Sequence, residues 1–222
     1  MPDHLAVTIP LKDIQRIQLY INTARRSLSQ IQRETGVDYI LNGTLYNMST
    51  FVPNCHLKAD GKVLCKPAYT VSGYSWNDGP DISMDTLPDA SQRNYITCTP
   101  LIVSGKPVSK LIYDEGQGGK RGRSAIGVKD GSLALYCTRD GGSMTRTPEA
   151  LRDDLTAAGW DSAVMLDAGG SSQCYFNGAV IQSSRNVHDL ILVYLKKGET
   201  TVEKKKVVLD PCLLYTSDAA DE

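Results

Sequence analysis

The chain has 222 residues, 41% of them hydrophobic and 22% charged, which suits one domain of ordinary to large size with a real core. A net charge of −1, without a basic stripe interleaved with aromatics, excludes the electrostatic footprint of a nucleic-acid-binding protein. The longest apolar run, 190–195, is far short of a membrane span, and six cysteines without a C-x-x-C pair argue against a cysteine zinc site.

Met1-Pro2-Asp3-His4 lacks the charged-then-apolar layout of a secretory signal. With the scattered cysteines, that sets the expectation of a protein cytoplasmic as synthesised, acting at a cell wall after release. Positions 14–21 alternate apolar and polar residues with one slip and predict a strand. Positions 27–34 predict a short helix closed by Gly36, and 39–41 a strand followed by a loop-rich stretch to Asn54. Asp60-Gly61, between Leu57 and Val63-Leu64, is a hairpin turn signal. The polar region 72–94, with Asn77-Asp78-Gly79-Pro80 and Pro88-Asp89, reads as a long surface loop with one short strand on the rim of a site.

Positions 95–103 are strand-like, with Pro100 arguing for an edge or a break. The basic, glycine-rich stretch 116–123 reads as flexible. Thr147 is a good N-cap, Pro148 takes the first helical position, and Leu151, Leu155 and Ala158 share one face before Gly159 stops the helix. These elements predict a single strand-rich domain of mixed α/β (α+β) class, with a mixed β-sheet, few helices and no internal repeat.

The chemistry concentrates where Ala163-Val164-Met165-Leu166 runs into Asp167-Ala168-Gly169-Gly170-Ser171-Ser172-Gln173. A buried strand ending in a tight turn reads this way, because glycine reaches backbone angles closed to other residues. Gly169 and Gly170 let a ligand approach main-chain N–H groups that can form an anion-binding nest, with Asp167, Ser171 and Ser172 at its mouth. A structural turn whose Asp and Ser bond their own backbone gives the same pattern. No Ser-His-Asp order or phosphate-binding loop is present, so acyl transfer and nucleotide hydrolysis fit poorly.

The Asp167–Ser172 run resembles the Leu-Asp-Gly-Gly-Gly-Ser-Ser signature of the phosphodiester glycosidase family, relatives of the lysosomal enzyme that uncovers mannose 6-phosphate. Further pieces follow in family order: Asn42-Gly43 after Tyr39-Ile40-Leu41, Arg123-Ser124-Ala125-Ile126-Gly127, then Asp130-Gly131 and Asp140-Gly141 flanking a strand over 132–137. Thr147-Pro148-Glu149-Ala150-Leu151 resembles the start of the helix leading to the signature. Phe176-Asn177-Gly178, Arg185-Asn186-Val187 and an apolar strand over 190–195 come after it. The likeness spans roughly 14–197. Ala168 departs from the pattern, standing where the family usually has Gly; if that position needs a positive φ, Ala strains the turn by roughly 1 kcal/mol.

The resemblance implies a hydrolase that cleaves a sugar 1-phosphodiester, on an N-acetylhexosamine of a cell-wall or phage-related glycan. Arg123 and Arg185 suit the phosphate because a guanidinium fork donates two bonds at once, although either fits a solvated surface too. Asp167 is the expected catalytic carboxylate and Asp140 a candidate second one, although Asp-Gly turns are common. Ser171 and Ser172 can donate to phosphate or sugar oxygens, and Asn42 can orient a sugar hydroxyl. His188 could carry a proton, yet a lone His is more often structural. Asp167, Ser171, Ser172, Arg123 and Arg185 are expected to converge on one cleft. No cofactor is required with certainty, and a divalent cation is compatible with the site. The expected partner is a glycan or sugar phosphate, with no nucleic acid and no membrane. The other reading is a catalytically silent carbohydrate-binding domain.

Domain boundaries follow as a glycosidase-like domain over 1–197 and a polar linker over 198–205. Lys206-Val207-Val208-Leu209-Asp210-Pro211 resembles the first strand of zinc N-acetylmuramoyl-L-alanine amidases, cut off before the first metal ligand; a surface hairpin tail is the alternative. The parent would then carry a fused amidase, which a silent first domain would dock on the wall. Positions 212–222 match the translation of a common sequencing adapter and are expected to be non-native and dispensable.

Overall fold

A computed structural model describes residues 2–86 and 91–197. The amidase-like strand, the linker and the adapter-like tail lie outside the described residues. Within them the class is mostly β rather than α/β. Three antiparallel sheets of six, five and five strands and a two-stranded ribbon accompany only two α-helices. Every strand pairing among the described residues is antiparallel, so the expected mixed sheet is replaced by several antiparallel ones. Hairpins such as Ser124–Lys129 with Ser132–Thr138 and Cys174–Phe176 with Ala179–Ile181 are antiparallel because a tight turn joins them, while pairs such as Ile14–Ile21 with Asp189–Leu195 join strands far apart in the chain.

One apolar core joins all three sheets through Ile17, Leu41, Trp76, Ile126, Leu135, Val164 and Ile191, each at most 1% exposed. Two smaller clusters cover the outer faces. Helix Pro148–Ala157 seats Leu151 and Leu155 on Ala125, Ala163 and Met165 of the six-stranded sheet. Helix Leu28–Thr35 seats Leu28 and Ile31 near Ile40, Leu190 and Leu192. Strand alternation explains this sharing. Val164 faces the common core while its neighbours Ala163 and Met165 face the helix, and Ile191 and Leu192 divide the same way. Such strands are buried on both faces and read as continuous apolar runs.

Local signals set several boundaries as expected. The strand Ile14–Ile21 forms over the alternating segment. Ser27 closes a reciprocal capping box with Gln30, and Gly36 ends that helix in the left-handed region at φ 61°. Thr147 accepts from the Ala150 N–H at 3.1 Å. Pro100 falls at a register shift between Thr99–Val103 and Ser162–Met165, as the break reading required.

The region 72–94 departs from its surface-loop expectation. Ser72–Trp76 is an interior strand between Asn94–Ile96 and Ser83–Thr86, with Tyr74 and Trp76 wholly buried. Their polar tips find partners, Trp76 Nε1 donating to the Ile17 carbonyl at 2.8 Å and Tyr74 Oη meeting Ser162 Oγ at 2.6 Å. That satisfaction lets polar-tipped aromatics sit in the core. Among the described residues no helix is long and apolar enough to cross a membrane.

Candidate active site

Asp167 follows the strand Ser162–Met165 of the six-stranded sheet and bonds to the end of Tyr39–Asn42, a strand of another sheet. Its N–H donates to the Gly43 carbonyl at 2.9 Å, and the Asn42 Nδ2 amide donates to the Asp167 carbonyl at 2.9 Å. Asn42 is fully buried and also accepts from Ser124 Oγ at 2.5 Å and from the Gln173 N–H at 3.1 Å. Its amide is therefore spent on tying three segments together, which makes it a positioning residue beneath the turn rather than a contact to a sugar.

The turn itself carries no strain at Ala168, whose φ of −127° and ψ of −179° are extended backbone open to any residue. The left-handed residue is Gly169 at φ 62°. Alanine in place of the family's glycine thus costs this turn nothing. The expected main-chain nest is largely occupied from within: the N–H groups of Ala168, Gly169, Ser171, Ser172 and Gln173 bond to Asp167 Oδ1, the Gly122 carbonyl, the Ala168 carbonyl, the Gly169 carbonyl and Asn42 Oδ1. Anion binding here falls to side chains.

Two arginines border the glycines. A Cβ on Gly170 would lie 2.3 Å from Arg185 Nη2, so the guanidinium rests directly on that residue and would have to shift to admit a side chain. Arg185 is half-buried, with Nη1 against Met48 Sδ. A Cβ on Gly169 would lie 3.8 Å from both Arg121 Nη1 and Asp140 Oδ2. Arg121 is exposed, its Nε donating to the Gly118 carbonyl at 2.8 Å, and Asp140 is exposed and accepts from the Gly122 N–H at 2.8 Å. Arg123, by contrast, is 0% exposed. Its guanidinium donates to the carbonyls of Arg146 at 2.7 Å and Gly119 at 2.6 Å and touches Met165 Sδ at 3.5 Å. Burial and the adjacent Arg121 charge bring it down to about 10. The structure thus gathers Asp167, Ser171, Ser172 and Arg185 with Asp140 at one rim, and leaves Arg123 beneath as a strut.

Burial pushes the Asp167 carboxyl up to about 6, against hydrogen bonds from Ser171, the Ala168 N–H and Gln117 that favour the charged form, while the Asp189 carboxyl pushes the same way as burial. Asp189 is itself 1% exposed and shifted upward by burial. His188 Nδ1 lies 2.9 Å from its Oδ2 and the Thr44 N–H donates to its Oδ1 at 2.8 Å. Asn42-Gly43-Thr44 lies between the two carboxylates, since Gly43 receives Asp167 on its carbonyl and gives its own N–H to the Asp189 carbonyl at 2.8 Å. His188 packs against Tyr46 and Phe51 and is tied to Asp189 as that carboxylate's partner. Tyr46 reaches Ser171 and donates to the Asn186 carbonyl at 3.0 Å.

Asp189, Gln117, Tyr46 and Arg121 are site residues absent from the sequence reading. Asp189 had a usable signal, a carboxylate heading a wholly apolar strand, whose burial needs partners. Arg121 and Gln117 sit in the stretch taken as flexible, where sequence gives no contact information. Among the described residues no three His, Cys, Asp or Glu side chains come together as metal ligands.

A sequence model of the phosphodiester glycosidase family matches residues 20–194. Among curated proteins none matches the chain in sequence. Solved structures share the architecture at low identity. The zebrafish N-acetylglucosamine-1-phosphodiester alpha-N-acetylglucosaminidase catalytic domain, auto-inhibited by its pro-peptide, aligns at TM-score 0.64 and 12% identity, over 87% of this chain and 84% of that one. A hypothetical protein from Synechocystis aligns at 0.69 and 13%, over 86% and 59%. A putative exported protein from Burkholderia pseudomallei aligns at 0.54 and 11%, over 85% and 73%.

Proposed function

Because this chain belongs to the phosphodiester glycosidase family, we propose that it hydrolyses an α-linked N-acetylhexosamine 1-phosphodiester by cleavage at the sugar carbon. The observation that carries the reading is the pairing of a buried carboxyl raised to about 6 with an arginine resting on the neighbouring Gly170. Arg185, with Arg121 across Gly169, holds the phosphodiester. The bond from the anomeric carbon to the bridging oxygen breaks, and its electrons leave with a phosphate monoester that needs little protonation. Asp167 acts on the sugar side, stabilising positive charge at the anomeric carbon or positioning the water that replaces the phosphate. Ser171 and Tyr46 fix the orientation of that carboxylate. Asp189 adds a second buried carboxyl whose charge tunes the first.

Strain at Ala168 would favour a silent docking domain, and the turn carries none there. Incubating the protein with methyl N-acetyl-α-glucosaminyl phosphate in ¹⁸O-water tests the reaction. The reading expects ¹⁸O on the sugar's anomeric hydroxyl and none on the phosphate. Label on phosphate, or no turnover on several sugar 1-phosphodiesters alongside measurable glycan binding, contradicts it.

A further inference from the structure

Two polar atoms beside Asp167 are buried without any partner, Gln117 Oε1 and Ser172 Oγ. Gln117 is 7% exposed and Ser172 2%. A buried amide oxygen without a partner is disfavoured, and native proteins keep such groups where a ligand or water completes them. The other end of the same amide is already committed, Nε2 donating to Asp167 Oδ1 at 3.3 Å. With Asp167 ionised, that bond fixes the amide's orientation, because a carboxylate accepts only from the NH₂ side. Asp114 steadies the segment behind it, its carboxylate accepting from the Gly116 N–H at 2.8 Å and its carbonyl from the Gln117 N–H at 2.7 Å.

We infer that Gln117 determines specificity by reading the substituent on the sugar carbon next to the one attacked, accepting a hydrogen bond on Oε1 from an acetamido N–H or a hydroxyl there. This rests on the hydrolytic reading above for the placement of the anomeric carbon against Asp167. An amide's oxygen lies about 2.3 Å from its nitrogen, so Oε1 sits one substituent's reach from the carboxylate that faces that carbon. The free valence is an acceptor, so it selects a donor. Ser172 Oγ, buried without a partner in Asp167's own turn, both donates and accepts and offers a second contact. A site built this way rejects a ligand lacking the donor, because the buried oxygen is then left unpaired.

The test compares 2-acetamido, 2-hydroxy and 2-deoxy glucose 1-phosphodiesters as substrates of the wild type and of Gln117→Met, which keeps length and loses both amide atoms. The wild type is expected to prefer one or both donor-bearing sugars over the 2-deoxy sugar by about tenfold or more in kcat/KM. In Gln117→Met that ratio should fall toward one. A uniform loss across all three substrates would mark Gln117 as merely structural, and absence of wild-type discrimination would overturn the inference outright. Calorimetric binding of N-acetylglucosamine 1-phosphate, glucose 1-phosphate and 2-deoxyglucose 1-phosphate separates the two claims. If nothing is hydrolysed but the wild type still discriminates in binding and Gln117→Met does not, the hydrolytic reading fails and the role of Gln117 stands. If the wild type binds all three equally or none, the inference fails.

Discussion

Asp167 keeps a carboxyl group where water is nearly excluded, at 6% exposure, and its upward shift to about 6 has a consequence for stability. Below the unfolded value of 3.8 the group is protonated in both states and the penalty vanishes. As pH rises through 6 the folded protein must ionise a group the unfolded chain ionises freely, so stability is lost across pH 4–6, by on the order of 2–3 kcal/mol. Asp167→Asn should therefore be at least as stable as the wild type at pH 8, with its advantage gone at pH 4, as read by urea melts at both values. A variant markedly less stable at pH 8 would mean that the carboxylate is held by structural bonds rather than kept for reaction. Two glycines provide a contrasting pair. A Cβ on Gly43 would fall 1.8 Å from Asp189 Oδ1 and 2.8 Å from the Asp189 carbonyl, so Gly43→Ala should cost about 2–4 kcal/mol and abolish activity. At Gly170 the obstacle is the flexible end of Arg185, so Gly170→Ala should keep stability within about 1 kcal/mol in melts while raising KM.

Among the elements, the loop over 116–123 holds two arginines two residues apart with opposite tasks. Arg123 is enclosed and donates to two carbonyls, so Arg123→Met strands the Gly119 oxygen, leaves the Arg146 carbonyl only the Arg121 N–H, and should destabilise by about 2–4 kcal/mol. Arg121→Met removes an exposed charge, should leave melts within about 0.5 kcal/mol, and should weaken inhibition by inorganic phosphate. The opposite ranking in denaturation and phosphate inhibition would return Arg123 to the phosphate. Sequence could not separate the pair, because Lys-Arg-Gly-Arg looks solvated throughout and burial of one guanidinium is decided by where the Arg146 and Gly119 carbonyls end up. Periodic and capped elements were legible for the converse reason. The alternation in Ile14–Ile21 and the Ser27 and Thr147 caps are fixed by contacts within a few residues. Ser72–Trp76 read as a loop because its polar tips are satisfied by Ile17 and Ser162, both distant in sequence. The turn carrying Asp167 was legible as a site, while Asp189, Gln117 and Tyr46 reached it only through folding.

For the molecule as a whole, Asn42-Gly43-Thr44 ties the turn that follows one sheet's strand to the first residue of another sheet's strand, so that two buried carboxylates, Asp167 and Asp189, share one junction. Identity of 12% alongside a TM-score of 0.64 shows that very different sequences reach this fold. In this chain the turn after Ser162–Met165 and the start of Asp189–Leu195 meet through Asn42-Gly43-Thr44 while both strands hold register against their neighbours. We propose Asp167, at this junction, as the catalytic carboxylate. Its most direct test is the turnover of methyl N-acetyl-α-glucosaminyl phosphate by Asp167→Asn, in a preparation shown by melting to be folded. That role requires a fall in kcat of at least about 100-fold, as loss of a catalytic electrostatic group gives, with sugar-phosphate binding retained. An unchanged kcat in the folded variant would contradict it.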